Sequence, residues 1–253
     1  MIRIIMAKDY EEVGKKAADV IANVVLECPT ATLGLATGSS PISTYKNLIK
    51  RCESGELSFK NVRTVNLDEY YGLDKDHDQS YRYFMNENLF NHIDIDKANT
   101  HLPNGKAADP KEECKRYDAV IESMGGVDVQ VLGIGHNGHI GFNEPADSFS
   151  KGVCHVTLTE STINANARFF ADKSLVPTSA LSMGIGQIMA AKKILMVANG
   201  EAKAEILEKA FFGEVTPAVP ASILQFFKGE CVLVADEAAL SLIRKNHPDF
   251  VFG

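Results

Sequence analysis

Hydrophobic positions along the chain alternate between two rhythms. Short, almost unbroken apolar runs occur at residues 3–7, 32–36, 63–67, 127–132, 154–158, 193–197 and 232–235. Runs of this length without polar alternation predict strands covered on both faces. Between them, apolar residues recur at helical spacing over 10–26, 41–52, 81–89, 110–124, 202–210 and 238–245. Asp9 and Asp109 stand where N-cap oxygens belong, and Pro110 takes the favoured first helical position. Strand and helix alternating in this way predict an α/β fold: a doubly wound, mostly parallel open sheet with helices on both faces. Segments 72–79 and 147–152 read as surface loops, and no repeat or linker divides the chain. Residues 1–253 are expected to form one domain.

Composition narrows the class without naming a chemistry. The chain is 45% hydrophobic and 23% charged, ordinary for a globular protein with a large core. Its net charge of −7, from 26 basic and 33 acidic residues, comes without any basic run. That balance argues against nucleic acid and against anionic membrane surfaces, yet leaves a small anion open, since a few local donors suffice to hold one. Five scattered cysteines (Cys28, Cys52, Cys114, Cys154, Cys231), with no CxxC pair and no leader-like start, read as reduced thiols of a cytoplasmic protein. No apolar run approaches the roughly 18 residues that a membrane helix requires.

Open α/β sheets bind ligands beyond the carboxyl ends of their strands, and three predicted strand ends carry chemistry. The first, "LGLATGSSPISTY", passes through Thr37, Gly38, Ser39 and Ser40 into a helix with Pro41 at its start. Backbone N–H groups at a helix start, flanked by hydroxyls, suit a phosphate; the same residues also make a plain helix cap. The pattern matches neither dinucleotide nor Walker signature, so a simple phosphate ester is the better fit. The second, "VRTVNLDEYYGL", ends in Asp68 and Glu69. Neighbours on an extended chain point to opposite faces, so one of the two is expected to face a pocket as a general base. The third, "LGIGHNGHIGFNEP", runs from Leu132 to Pro145 and packs His136, Asn137, His139, Asn143 and Glu144 among four glycines. A metal pair from His136 and His139 lacks a third ligand at a recognisable spacing. A histidine proton shuttle oriented by Glu144 is the alternative to an incidental glycine-rich turn.

Together "ATGSSP", "NLDEY" and "GIGHNGHIGFNEP", in this order, with "ANARFF" around Arg168 and "GEAKAEIL" around Lys203, resemble the glucosamine-6-phosphate deaminase family over nearly the whole chain. The resemblance implies a Rossmann-like fold and conversion of glucosamine 6-phosphate and water to fructose 6-phosphate and ammonia, with no metal and no cofactor. It implies that His139, held by Glu144 and Asn137, opens the pyranose, and that Asp68 moves a proton from C2 to C1. By the same matching, Gly38, Ser39, Ser40, Arg168 and Lys203 hold the phosphate, Glu69 is a supporting residue, and His136 is not catalytic. Residues 154–183 correspond to a mobile lid.

Two departures stand out. Many members carry aspartate where this chain has Asn137, so Glu144 must supply the negative charge and the pH profile is expected to shift. Allosteric hexameric members use basic residues where this chain has Cys154 and Val156, which implies a monomer without an effector site. A 6-phosphogluconolactonase would carry GHTASLFP in place of GHIGFNEP and needs no base like Asp68. A sugar-phosphate sensor would lack the acid–base residues and add a DNA-binding helix-turn-helix.

Overall fold

The computed structural model describes residues 2–253. In chain order its elements are β1 (Ile2–Ala7), α1 (Tyr10–Glu27), β2 (Thr32–Leu35), α2 (Ile42–Glu53), β3 (Arg63–Asn66), β4 (Asp68–Tyr70), α3 (Tyr81–Met85), β5 (Thr100–His101) and α4 (Pro110–Ser123). They continue with β6 (Val129–Leu132), β7 (Cys154–Thr157), α5 (Glu160–Asn166), β8 (Ser179–Ser182), α6 (Ile185–Met189), β9 (Lys193–Ala198), α7 (Ala204–Phe212), β10 (Glu230–Asp236) and α8 (Ser241–Asn246). The main sheet has seven strands in the order β1-β10-β9-β6-β2-β3-β5, and every pair in it is parallel. Helices cover both faces, as in Rossmann-like folds. After β2 the chain builds outward through β3 and β5; it then returns to β6 and builds the other way. The reversal falls between β2 and β6, which opens a crevice at their carboxyl ends.

Burial explains the continuous apolar runs. Leu33, Val65, Val129, Val131, Leu195, Val197, Leu233 and Val234 are all fully enclosed, as expected of strands with helices on either side. Asp9 and Asp109 accept hydrogen bonds from the first-turn amides of α1 and α4, respectively. Two buried tyrosines fix the strand ends that matter for the crevice. The Tyr45 hydroxyl donates to the Ala36 carbonyl at 2.5 Å and accepts from the Ala36 amide at 3.2 Å, just past β2. The Tyr117 hydroxyl donates to the carbonyls of Asn66 (2.8 Å) and His101 (3.1 Å), at the ends of β3 and β5.

The structure departs from the sequence expectations in particular places. Residues 154–158, expected in the parallel sheet, instead supply β7 of a second, antiparallel sheet ordered β4-β8-β7. Its residues alternate between half-buried and exposed, the signature of a strand with one wet face. The Asp68–Tyr70 stretch is a strand of this sheet rather than a strand end only. Leu67 is the seam: its amide donates to the Leu35 carbonyl in the main sheet, while its carbonyl accepts from the Met183 amide beside β8. The helix expected over 81–89 stops being α-helical at Met85 and continues as a π-helical turn, Asn86–Phe90. Pro41 lies just before α2 as its capping residue, and α7 starts at Ala204 behind a 3₁₀ turn, Glu201–Lys203.

Candidate active site

A cleft of about 330 Å³ opens at the crevice, and its lining comes from several places in the chain, Tyr81 of α3 among them. The loop after β2 contributes Thr37, Gly38, Ser39 and Ser40; the seam contributes Leu67 and Asp68; the loop after β6 contributes Gly133, Gly135, His136, Asn137 and His139. Ser161, Thr162, Asn166 and Arg168 form a wall, and Lys203 enters from the turn after β9. Asp68, Asn137, His139, Gly38, Ser39, Ser40, Arg168 and Lys203 thus lie on this cleft, whereas Glu144 sits behind it against Asn137 and His139, and Glu69 and Asn143 do not line it.

One end of the cleft is built for an anion. Gly38 adopts φ of +91°, a left-handed conformation that favours glycine, and turns the chain sharply out of β2. The Tyr10 hydroxyl braces this turn from α1, donating to the Ser39 carbonyl at 2.7 Å and accepting the Ser43 amide at 3.1 Å. Lys203 is half-buried and donates to the Ile134 carbonyl at 2.7 Å, tying its ammonium to the glycine-rich loop. Burial lowers the Lys203 pKa. The charges of Lys203, His139 and Arg168, with burial, also lower that of His136, the Lys203 charge most of all. His136 is exposed at this cationic end, and among the described residues no carboxylate or backbone group orients it.

Asp68 and Glu69 separate as an extended chain requires. Asp68 lines the cleft and is 6% exposed, with no hydrogen bond to its carboxylate among the described residues. Burial first, and the adjacent Glu69 charge second, push its pKa up to about 8. Glu69 points the other way and accepts the backbone amides of Tyr70 (2.9 Å), Tyr81 (2.9 Å) and Arg82 (3.0 Å). It therefore staples the start of α3 to β4.

The third group is the most elaborate. The His139 ring packs against the backbone at Gly135, where a Cβ would come within 2.2 Å of the imidazole. Any side chain at that position would have to displace the ring, so this glycine leaves room for the histidine where it stands. His139 Nδ1 lies 3.5 Å from Glu144 Oε2, a charge-pairing distance slightly too long for a good hydrogen bond. Catalytic pairs of this kind commonly tighten only when substrate binds. Asn137 donates to Glu144 Oε2 at 2.6 Å and accepts the His139 amide on its own Oδ1 at 3.2 Å. Thr162 donates to Glu144 Oε1. The neighbouring His139 first, then Thr162 and Asn137, outweigh burial and hold Glu144 ionised, with its pKa lowered to about 2. Thr162 was not singled out in the sequence, where no helix was expected over 160–166.

The arrangement offers an anion-binding end, a buried carboxylate with a raised pKa, and a histidine set against an ionised carboxylate. Such a site can hold a phosphorylated molecule and move protons at two of its atoms. Known proteins resemble the chain closely. The family described as glucosamine-6-phosphate isomerases/6-phosphogluconolactonase matches residues 8–233. A glucosamine-6-phosphate deaminase from Lachnoclostridium phytofermentans is 56% identical over 88% of this chain and 95% of its own. A solved structure of a monomeric glucosamine-6-phosphate deaminase superposes with a TM-score of 0.92 at 44% identity, covering 95% of this chain and 99% of that one. The 6-phosphogluconolactonase from Trypanosoma brucei shares the fold alone, with a TM-score of 0.74 at 17% identity over 97% of this chain and 98% of that one.

Proposed function

The chain belongs to the glucosamine-6-phosphate isomerase/6-phosphogluconolactonase family, and we propose that within it the protein is a glucosamine-6-phosphate deaminase, producing fructose 6-phosphate and ammonia. The observation that carries this reading is Asp68, a buried, unpaired carboxylate facing the same cleft as the His139–Glu144 pair. Lactone hydrolysis gives such a base nothing to do; moving a carbon-bound proton requires one.

The phosphate sits at the cationic end, against the amides and hydroxyls of 38–40, with Arg168 offering a planar fork and Lys203 a point charge. His139 takes the proton of the anomeric hydroxyl and returns one to the ring oxygen, which opens the pyranose. Glu144 stabilises the imidazolium formed between the two transfers. Asp68, ionised, then removes the C2 proton and delivers it to C1, converting the aldehyde's enolamine into a ketimine. Addition of water at C2 and departure of ammonia give the ketose. A carboxylate whose pKa burial has raised toward neutrality is well matched to taking and then giving a proton near pH 7. Each step is a proton transfer or the exchange of ammonia for water, so this reading requires no metal or organic cofactor. Residues 154–183, which carry Thr162 and Arg168, close over the sugar as a lid and exclude water.

Similarity to the monomeric deaminase supports a monomer, and Cys154 and Val156 give the allosteric effector no cation. No described helix is long and apolar enough to cross a membrane; a cytoplasmic metabolic enzyme fits that and the unpaired cysteines. The decisive experiment measures ammonia release from glucosamine 6-phosphate by the wild type and by His139→Gln, beside hydrolysis of 6-phosphogluconolactone. Ammonia release that the variant loses is expected. Lactone hydrolysis without ammonia release would overturn the reading, and binding of the sugar phosphate with no turnover would favour a sensor.

A further inference from the structure

Glu144 is held from two sides. Asn137 belongs to the same glycine-rich loop as His139, so its bond keeps the pair together locally. Thr162 comes from α5, on the opposite wall, and is 7% exposed. Its hydroxyl proton has a definite destination. The Thr159 hydroxyl donates to the Thr162 oxygen at 3.1 Å, and Thr159 Oγ1 accepts the Thr162 amide at 3.2 Å. That leaves the Thr162 proton for Glu144 Oε1. The result is a chain of donors running from the cap of α5 to the carboxylate, and from there to His139 Nδ1, 3.5 Å from Oε2. The same wall presents Ser161, Asn166 and Arg168 to the cleft, so the segment that bonds Glu144 also carries the guanidinium assigned to the phosphate.

We infer that Thr162 is a positioning residue of the ring-opening pair: through its hydroxyl, the 160–168 segment sets the Glu144 carboxylate against His139. This deepens the deaminase reading and rests on it. Thr162 fixes Oε1, which leaves Oε2 to Asn137 and the imidazole. A carboxylate with both oxygens held by donors from different segments can keep one orientation; with one donor lost it is free to rotate away from Nδ1.

The test compares Thr162→Val, which keeps the side-chain shape and removes the hydroxyl, with Thr162→Ser, which keeps the hydroxyl. Ammonia release from glucosamine 6-phosphate is measured for both and for the wild type. The valine variant should lose at least tenfold in kcat, while KM and the inhibition constant of inorganic phosphate stay within threefold. The serine variant should recover kcat to within threefold of wild type. If Thr162 acts through Glu144, adding Thr162→Val to Glu144→Gln should cost less than a further twofold. A valine variant within twofold of wild type in kcat, a serine variant no better than valine, or full additivity with Glu144→Gln would each overturn the inference. Wild type that releases no ammonia would instead overturn the deaminase reading, so the two failures are distinguishable.

Discussion

The clearest physical consequence of the site is that its base is bad for the fold. Asp68 is buried, has no hydrogen-bond partner among the described residues, and stands next to Glu69. Replacing it with asparagine keeps the shape and removes the charge. The sign follows from linkage. An acid whose folded pKa is raised from 3.8 to about 8 binds its proton more tightly when folded. Below the unfolded value both states are protonated and the charge costs nothing. Above it, the folded protein loses stability as pH rises, until the folded group also ionises. The slope is about 1.4 kcal/mol per pH unit, which sets a ceiling of about 4 kcal/mol at pH 7. Because the carboxylate opens onto the cleft, solvent reduces the change between pH 5.5 and 8.5 to about 1–2 kcal/mol. For a chain of this size that is about 3–6 °C in Tm. The amide introduced in Asp68→Asn has its own burial cost, but that offset does not vary with pH. Thermal unfolding of both proteins across this range should therefore show the variant gaining on the wild type as pH rises, while ammonia release falls by about 10²–10⁴-fold. A Tm difference that is flat or shrinks with pH, or a variant that keeps more than a tenth of the activity, would refute the reasoning.

Four further outcomes follow from the same geometry. Lys203→Met should raise KM for the sugar phosphate by about 10–100-fold with kcat nearly unchanged, since the proposed ammonium–phosphate contact would serve ground and transition states alike; steady-state kinetics with inorganic phosphate as competitor checks this. Gly135→Ala places a methyl 2.2 Å from the His139 ring and should lower kcat by at least about 100-fold, whereas Gly133→Ala, whose nearest neighbour would be Ser40 Oγ at 3.9 Å, should fold with an unchanged Tm. Asn137→Asp turns the 2.6 Å donor to Glu144 into a like charge, so the two carboxyls must share a proton; a new ionisation should appear in the pH profile of kcat/KM, and a superimposable profile would contradict the assigned contact. Rate curves should be hyperbolic and insensitive to N-acetylglucosamine 6-phosphate, a point that initial-rate measurements with the effector settle.

Much of the main sheet was legible because burial on both faces leaves unbroken apolar runs at β1, β2, β3, β6, β9 and β10. The short strands were not. β4 and β5 span three and two residues, too few for any period to register, and β8 reads Ser-Ala-Leu-Ser, with no apolar run; they form through pairings distant in sequence, such as Asp68 against Ser182. β7 misled because Val156 and Leu158 look like core residues, although its other face is wet. At the site, the ends of β2, β3 and β6 announced themselves by putting glycines, hydroxyls and ionisable groups just past apolar strands. Thr162 gave no such signal: its spacing from Thr159 describes a helix cap, and its bond to Glu144 exists only because the fold brings α5 over the loop.

The two proton-moving groups are held in place by different means, and this explains which of them tolerates variation. Asp68 is positioned by backbone. Its neighbour Leu67 is bonded to both sheets, and Asp68 itself pairs in register with Ser182. Ser182 in turn accepts the Phe142 amide at 3.0 Å, which locks the seam to the loop that carries His139 and Glu144. A carboxylate so fixed needs no side-chain partner, and one would only lower its pKa and weaken it as a base. Glu144 sits in a loop whose glycines fix little, so donors from Asn137 and Thr162 must do the fixing. Because two donors share that task, a change at one leaves the other in place, so the departure at Asn137 is expected to shift the pH profile rather than abolish activity. The seam offers no comparable freedom: a shift of register by one residue would turn Asp68 away from the cleft and Glu69 into it.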